Sequence, residues 1–308
     1  MKKVLFATTA LVMTAGVAAA DVTISGYGRA AVDYQDNRDQ EATIETRVRM
    51  NFDASTTTDQ GVDFGARIRM QYDDGSSNST LSPAYIYVTS GGFEVSVGNV
   101  GTAYDSAGLI YESEVGLISR SFGNSMGDFY AFDTNGYGDE ENRMGFAVKY
   151  SAGGFTGRLS YVDPDQTVSG DQQGKEEELS VAIDYEWNDL ALSAAAVQNG
   201  AGIDGNDQQF VGAYYTMAGT SNGVGLNWVN NGDDATGDTI VLYGDYEVAP
   251  MTTLSAYIAN NDGDMAKETD NAFGVGVKYD LGGAIVAGSI ERGYQEEIRS
   301  DMGIKFNF

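Results

Sequence analysis

The sequence predicts an all-β chain, a transmembrane antiparallel β-barrel of 16 strands, on three observations. Residues 42–55, ATIETRVRMNFDAS, alternate, with Ile44, Val48, Met50 and Phe52 pointing one way and Glu45, Arg47, Arg49, Asn51 and Asp53 the other. A two-residue period is the mark of a strand with one apolar and one polar face. The pattern recurs in segments mostly about 9 to 12 residues long, the length a tilted strand needs to cross a bilayer core. The connections alternate between long acidic loops and brief turns, as in an up-and-down barrel whose two ends differ.

The elements follow in order. The first strand, 22–34, sets Val22, Ile24, Gly26, Gly28, Ala30 and Val32 against Thr23, Ser25, Arg29 and Asp33. The second, 42–55, is joined by a short turn to the third, 61–72, where Val62, Phe64, Ile68 and Met70 oppose Asp63, Arg67 and Arg69. Brief turns then pair 83–90 with 92–99 (SGG), 143–151 with 155–163 (AGG), 177–187 with 190–198 (WND) and 208–218 with 222–230 (AGTSN). Two more pairs are 238–248 with 252–260 (APMT) and 271–280 with 284–293 (LGG), and 300–308 closes the set. Between the pairs run polar loops such as QDNRDQE, DPDQTVSGDQQGKEE, NGDDATG and NDGDMAKETD, and one very long segment, 100–142. Aromatic residues near strand ends on the apolar face, among them Tyr72, Tyr150, Phe155, Tyr185, Trp187 and Tyr279, suit the girdles of a membrane barrel. No linker or shift of composition divides residues 21–308, which form one domain.

The start, MKKVLFATTALVMTAGVAAA, has two lysines, an apolar middle and small residues at Ala18 and Ala20 before Asp21. It reads as a cleaved secretory signal over 1–20. Removing Lys2 and Lys3 with it changes the formal charge from −27 to −29. Such a charge repels phosphate backbones and argues against nucleic-acid partners. The chain has no Cys and no His, so disulfide frameworks, imidazole ligands and His-based catalysis are excluded. GTSNG at 219–223 matches a nucleophile elbow in letters only, because that motif needs a strand-to-helix turn and a His base. The acids Glu176, Glu177 and Glu178 read as a solvated run. The chain is expected not to be an enzyme.

The arginines pose the main question. A turn centred near Thr58 would set Arg47 opposite Arg69 and Arg49 opposite Arg67. Like charges directly across a sheet are destabilising, and the chain has only 18 Lys and Arg. Against a soluble β-sandwich stand the aromatic residues near strand ends on the apolar face, and the nonapeptide period that an acidic β-roll needs is not visible.

In the order of DVTISGYGRAAVDY, GVDFGARIRMQY, GGFEVSVGNVGTAYDSAGLIYESEVG and the terminal GIKFNF, the whole mature chain resembles the general diffusion porins of Gram-negative bacteria, especially those of purple bacteria such as Rhodobacter. The resemblance implies that the third outer loop, here 100–142, folds into the barrel and narrows it. It implies an acidic loop of Asp105, Glu112 and Glu114 across from a basic wall of Arg29, Arg47, Arg49, Arg67 and Arg69. It further implies a homotrimer in the outer membrane, with contacts to lipid and lipopolysaccharide, and an interface near the joined termini that suits the small outward residues Gly26, Gly28 and Ala30. Calcium is the one ion suggested, at Asp139, Glu140 and Glu141, whose oxygens suit a hard cation; no cofactor is required. The expected function is a water-filled channel for passive diffusion of ions and small hydrophilic solutes. Acids alternating into the lumen, such as Asp184 and Asp245, together with the net charge, make it mildly cation-selective. The alternatives are a solute-specific channel, marked by an aromatic track along the lumen, and an exported soluble β-protein that binds calcium or carbohydrate.

Overall fold

The computed structural model describes residues 20–75, 79–118, 120–138, 140–166 and 175–308. The expected signal peptide, apart from Ala20, lies outside the described residues.

Sixteen strands form one closed antiparallel sheet. They are β1 (Asp21–Gln35), β2 (Ala42–Thr57), β3 (Asp63–Asp73), β4 (Thr80–Leu81 continued by Tyr85–Ser90), β5 (Phe93–Gly98), β6 (Met144–Ala152), β7 (Phe155–Asp163) and β8 (Glu178–Trp187). The second half holds β9 (Leu190–Gln198), β10 (Gln208–Thr216), β11 (Gly223–Asn230), β12 (Asp238–Ala249), β13 (Thr252–Asn261), β14 (Asn271–Asp280), β15 (Ala284–Arg292) and β16 (Ile298–Asn307). Each strand pairs with its neighbours in sequence, and β1 pairs with β16 to close the ring. At that seam Gly26 N–H donates to Phe308 O at 2.8 Å and Phe308 N–H donates to Gly26 O at 3.0 Å. Closure leaves no strand edge, the condition for a sheet in lipid.

The faces are inverted relative to a soluble protein. Along β8 the outward Leu179, Val181, Ile183, Tyr185 and Trp187 are exposed, whereas Glu178, Ser180 and Ala182 on the inner face are each 1% exposed. The same holds for Val224 and Leu226 against Asn227 and Val229 on β11. A band of exposed apolar side chains around a closed sheet needs hydrocarbon as its solvent. The soluble alternative therefore fails.

Two registers depart from the sequence reading. The β2–β3 hairpin turns about Gln60, not Thr58, because Thr56 and Thr57 continue the strand. Thr58 and Val62 close the turn through Thr58 N–H to Val62 O at 2.9 Å, and Gly61 takes the positive φ of 76° that the bend requires. Shifting the centre by two residues moves every partner by four and keeps the faces. Arg47 consequently stands opposite Asp73, Arg49 opposite Gln71, Arg69 opposite Asn51 and Arg67 opposite Asp53. The expected Arg–Arg pairs across this hairpin do not form.

The second departure is in β4. Met70 pairs with Leu81 and Arg67 with Tyr85, so Ser82, Pro83 and Ala84 oppose only Ile68 and Arg69. This is a bulge of one extra residue, placed where Pro83 cannot donate to the ladder. Ser82 compensates by donating its N–H to Arg69 O at 2.8 Å and accepting Arg69 N–H on Oγ at 2.9 Å.

Candidate functional site: the lumen

The described residues from Thr102 to Asp133 pack against the inner wall of the barrel. The inner faces of the strands supply the polar groups that an irregular loop needs for its backbone. Ala103 N–H donates to Ser160 Oγ at 2.8 Å, Gly108 N–H to Asp184 at 2.8 Å and Leu117 N–H to Asp301 at 3.0 Å. Met126 N–H donates to Asn231 Oδ1 at 2.8 Å and Tyr130 N–H to Glu178 at 2.6 Å. The far end of the loop is fixed by Asn99, whose Nδ2 donates to Asp133 O and whose Oδ1 accepts Asp133 N–H, both at 2.7 Å.

The apolar residues of the loop choose one side. Tyr104, Leu109 and Ile110 pack on Ala182, Ala195, Val197, Phe210 and Val229 of β8–β11. Val115 packs with Val241, Tyr243, Tyr257, Ala259 and Ala272 of β12–β14, and Leu117 with Ala31 and Ala287. The buried core of the molecule is thus the seam between loop and wall, displaced to one side of the lumen. The loop meets β1–β3, which carry the arginines, mainly through polar contacts such as Arg29 to Leu117 O, Arg69 to Thr134 and Arg120 to Asp33.

The five arginines share the inner face of three adjacent strands. Arg29 on β1 lies directly across from Arg47 on β2 and, at the seam, from Lys305 on β16; the Arg29–Arg47 pair is offset on both sides. Glu45 forms an ion pair with Arg29, and Asp73 accepts from Arg47 Nε at 2.5 Å. Asp53 takes Arg67 through two contacts, at 2.6 and 3.1 Å. Arg49 and Arg69 instead meet neutral oxygens: Gln71 Oε1 at 2.6 Å for Arg49, and Asn51 Oδ1 at 2.8 Å for Arg69. Arg29 also reaches the loop, donating to Leu117 O at 3.1 Å. Arg69 lies over the Phe132 ring at 4.4 Å and donates to Thr134 Oγ1 at 3.1 Å.

The loop acids differ among themselves. Asp105 is largely enclosed, and its carboxylate accepts from Tyr111 OH at 2.7 Å; burial raises its pKa against that bond. Glu112 touches water yet sits deep in the lumen. Enclosure, with the negative Asp245 and Glu114 nearby, pushes its pKa upward, and Lys278 only partly opposes the shift. Glu114 accepts from Asn124 Nδ2 at 3.0 Å. Of the residues suggested for calcium, Glu140 lies 3.4 Å from Arg143 and 3.5 Å from Lys175, Glu141 is exposed, and Asp139 lies outside the described residues. No group of three or more acidic side chains among the described residues is arranged to hold a metal ion.

Several residues that hold the lumen together were not singled out by sequence reasoning. Gln208, Asn227, Asn231 and Asp301 are buried on inner faces and bind the loop, with Gln208 Nε2 donating to Asp128 O at 2.5 Å and Asn227 Nδ2 to Leu109 O at 2.7 Å. Their signal was an amide or acid at a polar-face position, which a lumen-lining residue gives equally. Arg120, ion-paired with Asp33, and Arg143, stacked over Tyr130 at 4.5 Å and Tyr137 at 4.7 Å, lie in and at the end of the aperiodic loop, where no pattern marks them.

The comparisons with known proteins agree with this geometry. The family model of the Gram-negative porin matches residues 7–295. A porin from Fuscovulum blasticum is 40% identical over 298 residues, covering 94% of this chain and all of that protein. The solved structure of a mutant of Rh. blastica porin matches with a TM-score of 0.88 at 39% identity, over 93% of this chain and 100% of that one. A triple mutant of Rhodopseudomonas blastica porin matches with a TM-score of 0.87 at 39% identity, over the same shares of the two chains. With a closed barrel, an apolar outer band, a loop folded into the lumen and relatives that match along nearly its whole length, the chain belongs to the Gram-negative porin family, whose barrels stand in the outer membrane.

Proposed function

We propose that this porin is a general diffusion channel for ions and small hydrophilic solutes, mildly selective for cations, and that it works as a homotrimer. The channel function itself follows from the family. One observation carries the finer reading: the loop packs most of its apolar residues on β8–β14 and meets β1–β3 mainly through polar contacts, beside which we place the passage. In that passage the basic wall of Arg29, Arg47, Arg49, Arg67 and Arg69 faces a loop bearing Asp105, Glu112 and Glu114. Charges of opposite sign on two sides of a wet constriction produce a transverse field, which sorts solutes by charge without binding them tightly. Three of the five arginines are locally neutralised, so the excess acid of the chain sets the sign of selectivity. A mutant of Rh. blastica porin in which two basic and three acidic side chains are replaced still matches this chain with a TM-score of 0.87; such a barrel does not need those charges to fold, which suits a role in permeation.

The trimer reading rests on the outer face of β1. Gly26 and Ala30 leave a shallow surface, and between them Phe306 of β16 lies over Gly28, where a Cβ would come within 2.6 Å of the ring. A smooth patch of small residues permits close approach of another protein surface. Export with removal of residues 1–20 and attachment to lipopolysaccharide complete the proposal.

Insertion into a planar bilayer tests it. Stepwise conductance in groups of three, with a reversal potential of cation-selective sign in a tenfold KCl gradient, is the expected result. Single steps or an anion-selective sign would refute the trimer or the selectivity in turn.

A further inference from the structure

The basic wall is not uniform. Arg29, Arg47 and Arg67 each have a carboxylate partner, in Glu45, Asp73 and Asp53. Arg49 and Arg69, between them, form no ion pair among the described residues and are held only through neutral oxygens. Their positive charges therefore stay uncompensated. Because Arg49 stands opposite Gln71 and Arg69 lies two residues along β3, the two are diagonal neighbours, about 7–8 Å apart by sheet geometry. Both side chains are half-buried; among the described residues Arg49 donates through Nε and Arg69 through Nε and Nη1.

Aromatic rings flank this pair. Phe132 lies under Arg69 at 4.4 Å, Tyr27 lies beside Arg49 at 5.3 Å, and Lys305 covers Tyr27 at 4.5 Å. Tyr85 meets Phe132 edge to face at 5.9 Å. The bulge of β4 falls at Arg69 itself, and a bulge re-aims the side chain beside it. Guanidinium groups match planar anions through parallel N–H donors and stack on aromatic faces.

The geometry points to a seat for aromatic carboxylates in the lumen: Arg49 and Arg69 receive the carboxylate while Phe132 meets the ring. This rests on the channel reading above. The two free charges specify an anion, and Phe132 favours an aromatic acid over an aliphatic one. Water fills the passage, so occupancy is brief and slows passage without trapping the solute.

Benzoate, cyclohexanecarboxylate and inorganic phosphate, each titrated onto the full channel in a planar bilayer at 0.1 M KCl, test the seat. Benzoate should reduce the mean current at concentrations about three- to tenfold lower than the other two, the margin an aromatic contact supplies. Arg49→Gln with Arg69→Gln should abolish this block. Arg67→Ser with Asp53→Ser, which removes a neutralised pair without changing net charge, should preserve it. Phe132→Leu should bring benzoate and cyclohexanecarboxylate together. Equal potency of all three anions on the unaltered channel would overturn the seat in favour of simple attraction. So would equal loss of block in the Arg49/Arg69 and Arg67/Asp53 variants. Conductance without benzoate block sinks the seat alone, whereas absence of any conductance sinks the channel reading.

Discussion

Asp301 on the last strand accepts the backbone N–H of Leu117 at 3.0 Å, and that of Ile118 at 3.3 Å, tying the middle of the lumenal loop to the strand that closes the barrel. Ser289 Oγ donates to the same carboxylate at 3.1 Å. Hydrogen bonds to a charged group each contribute about 1.5–3 kcal/mol. Asp301→Ala should therefore loosen residues 115–120 while the strand ladders persist. The expected outcome is noisier open-channel current and faster proteolysis within the loop, at unchanged heat-modifiable migration on gels. Quiet traces indistinguishable from those of the unaltered channel would show that the apolar seam alone holds the loop.

Selectivity should respond unequally to the two sides of the passage. A unit charge about 8 Å from a permeating ion in water-like dielectric changes its energy by about 0.5 kcal/mol, roughly twofold in permeability ratio. Replacing Arg49 and Arg69 with Gln should strengthen cation preference, and replacing Glu112 and Glu114 with Gln should weaken it. Both effects should fade toward 1 M salt, where the Debye length is about 3 Å. Reversal potentials in dilute and concentrated KCl gradients measure this. Two double variants that leave the low-salt potential unmoved would reduce the charges to wet lining.

Acidification should act earlier than ordinary carboxylates would suggest. Burial raises the pKa of Asp105, and burial with Asp245 and Glu114 raises that of Glu112. Both groups thus take up protons above the usual range near 4. A raised acid pKa means that the charged form is disfavoured in the folded loop. The cost is full above the folded pKa and is relieved as pH falls through it. Cation preference should begin to decline above pH 4, and Glu112→Gln should flatten the upper part of that decline. A titration that is unchanged by this variant would assign the effect to other groups.

The outer band should obey the rules of lipid. Leu226 on β11 is 53% exposed and points away from the lumen. An arginine at the bilayer midplane of a barrel costs about 2–4 kcal/mol. Leu226→Arg should lower the yield of folded barrel, read as the heat-modifiable band, far more than Leu226→Ala. Equal yields would place Leu226 outside the hydrocarbon.

Strand positions were legible because the period of two survives any error in the turns: β7, β9 and β14 fall on the expected spans of 155–163, 190–198 and 271–280. Register was less legible. Thr56 and Thr57 serve equally as strand or turn, and a shift of the hairpin centre by two residues keeps the inner face while changing every partner. That ambiguity turned Arg47–Asp73 into an expected Arg–Arg pair. Pro83 hid the continuation of β4 back to Thr80, since a proline inside a ladder reads as an end. The loop was legible in length and charge only. Without periodicity, nothing in residues 100–142 told which of them meet Asn227, Asn231 or Asp301, contacts that depend on the closed ring.

The seam between Gly26 and Phe308 also constrains how the molecule comes into being. Its partners are the two ends of the described fold, so the ring cannot close until Phe308 has been synthesised and delivered. Neighbouring hairpins form from local contacts, but this pairing bears the full loop-closure entropy of the chain, and so belongs late in folding. Until then β1 and β16 are open edges able to recruit strands from other molecules. A chain cut short by one strand is therefore not a slightly narrower pore but an adhesive intermediate.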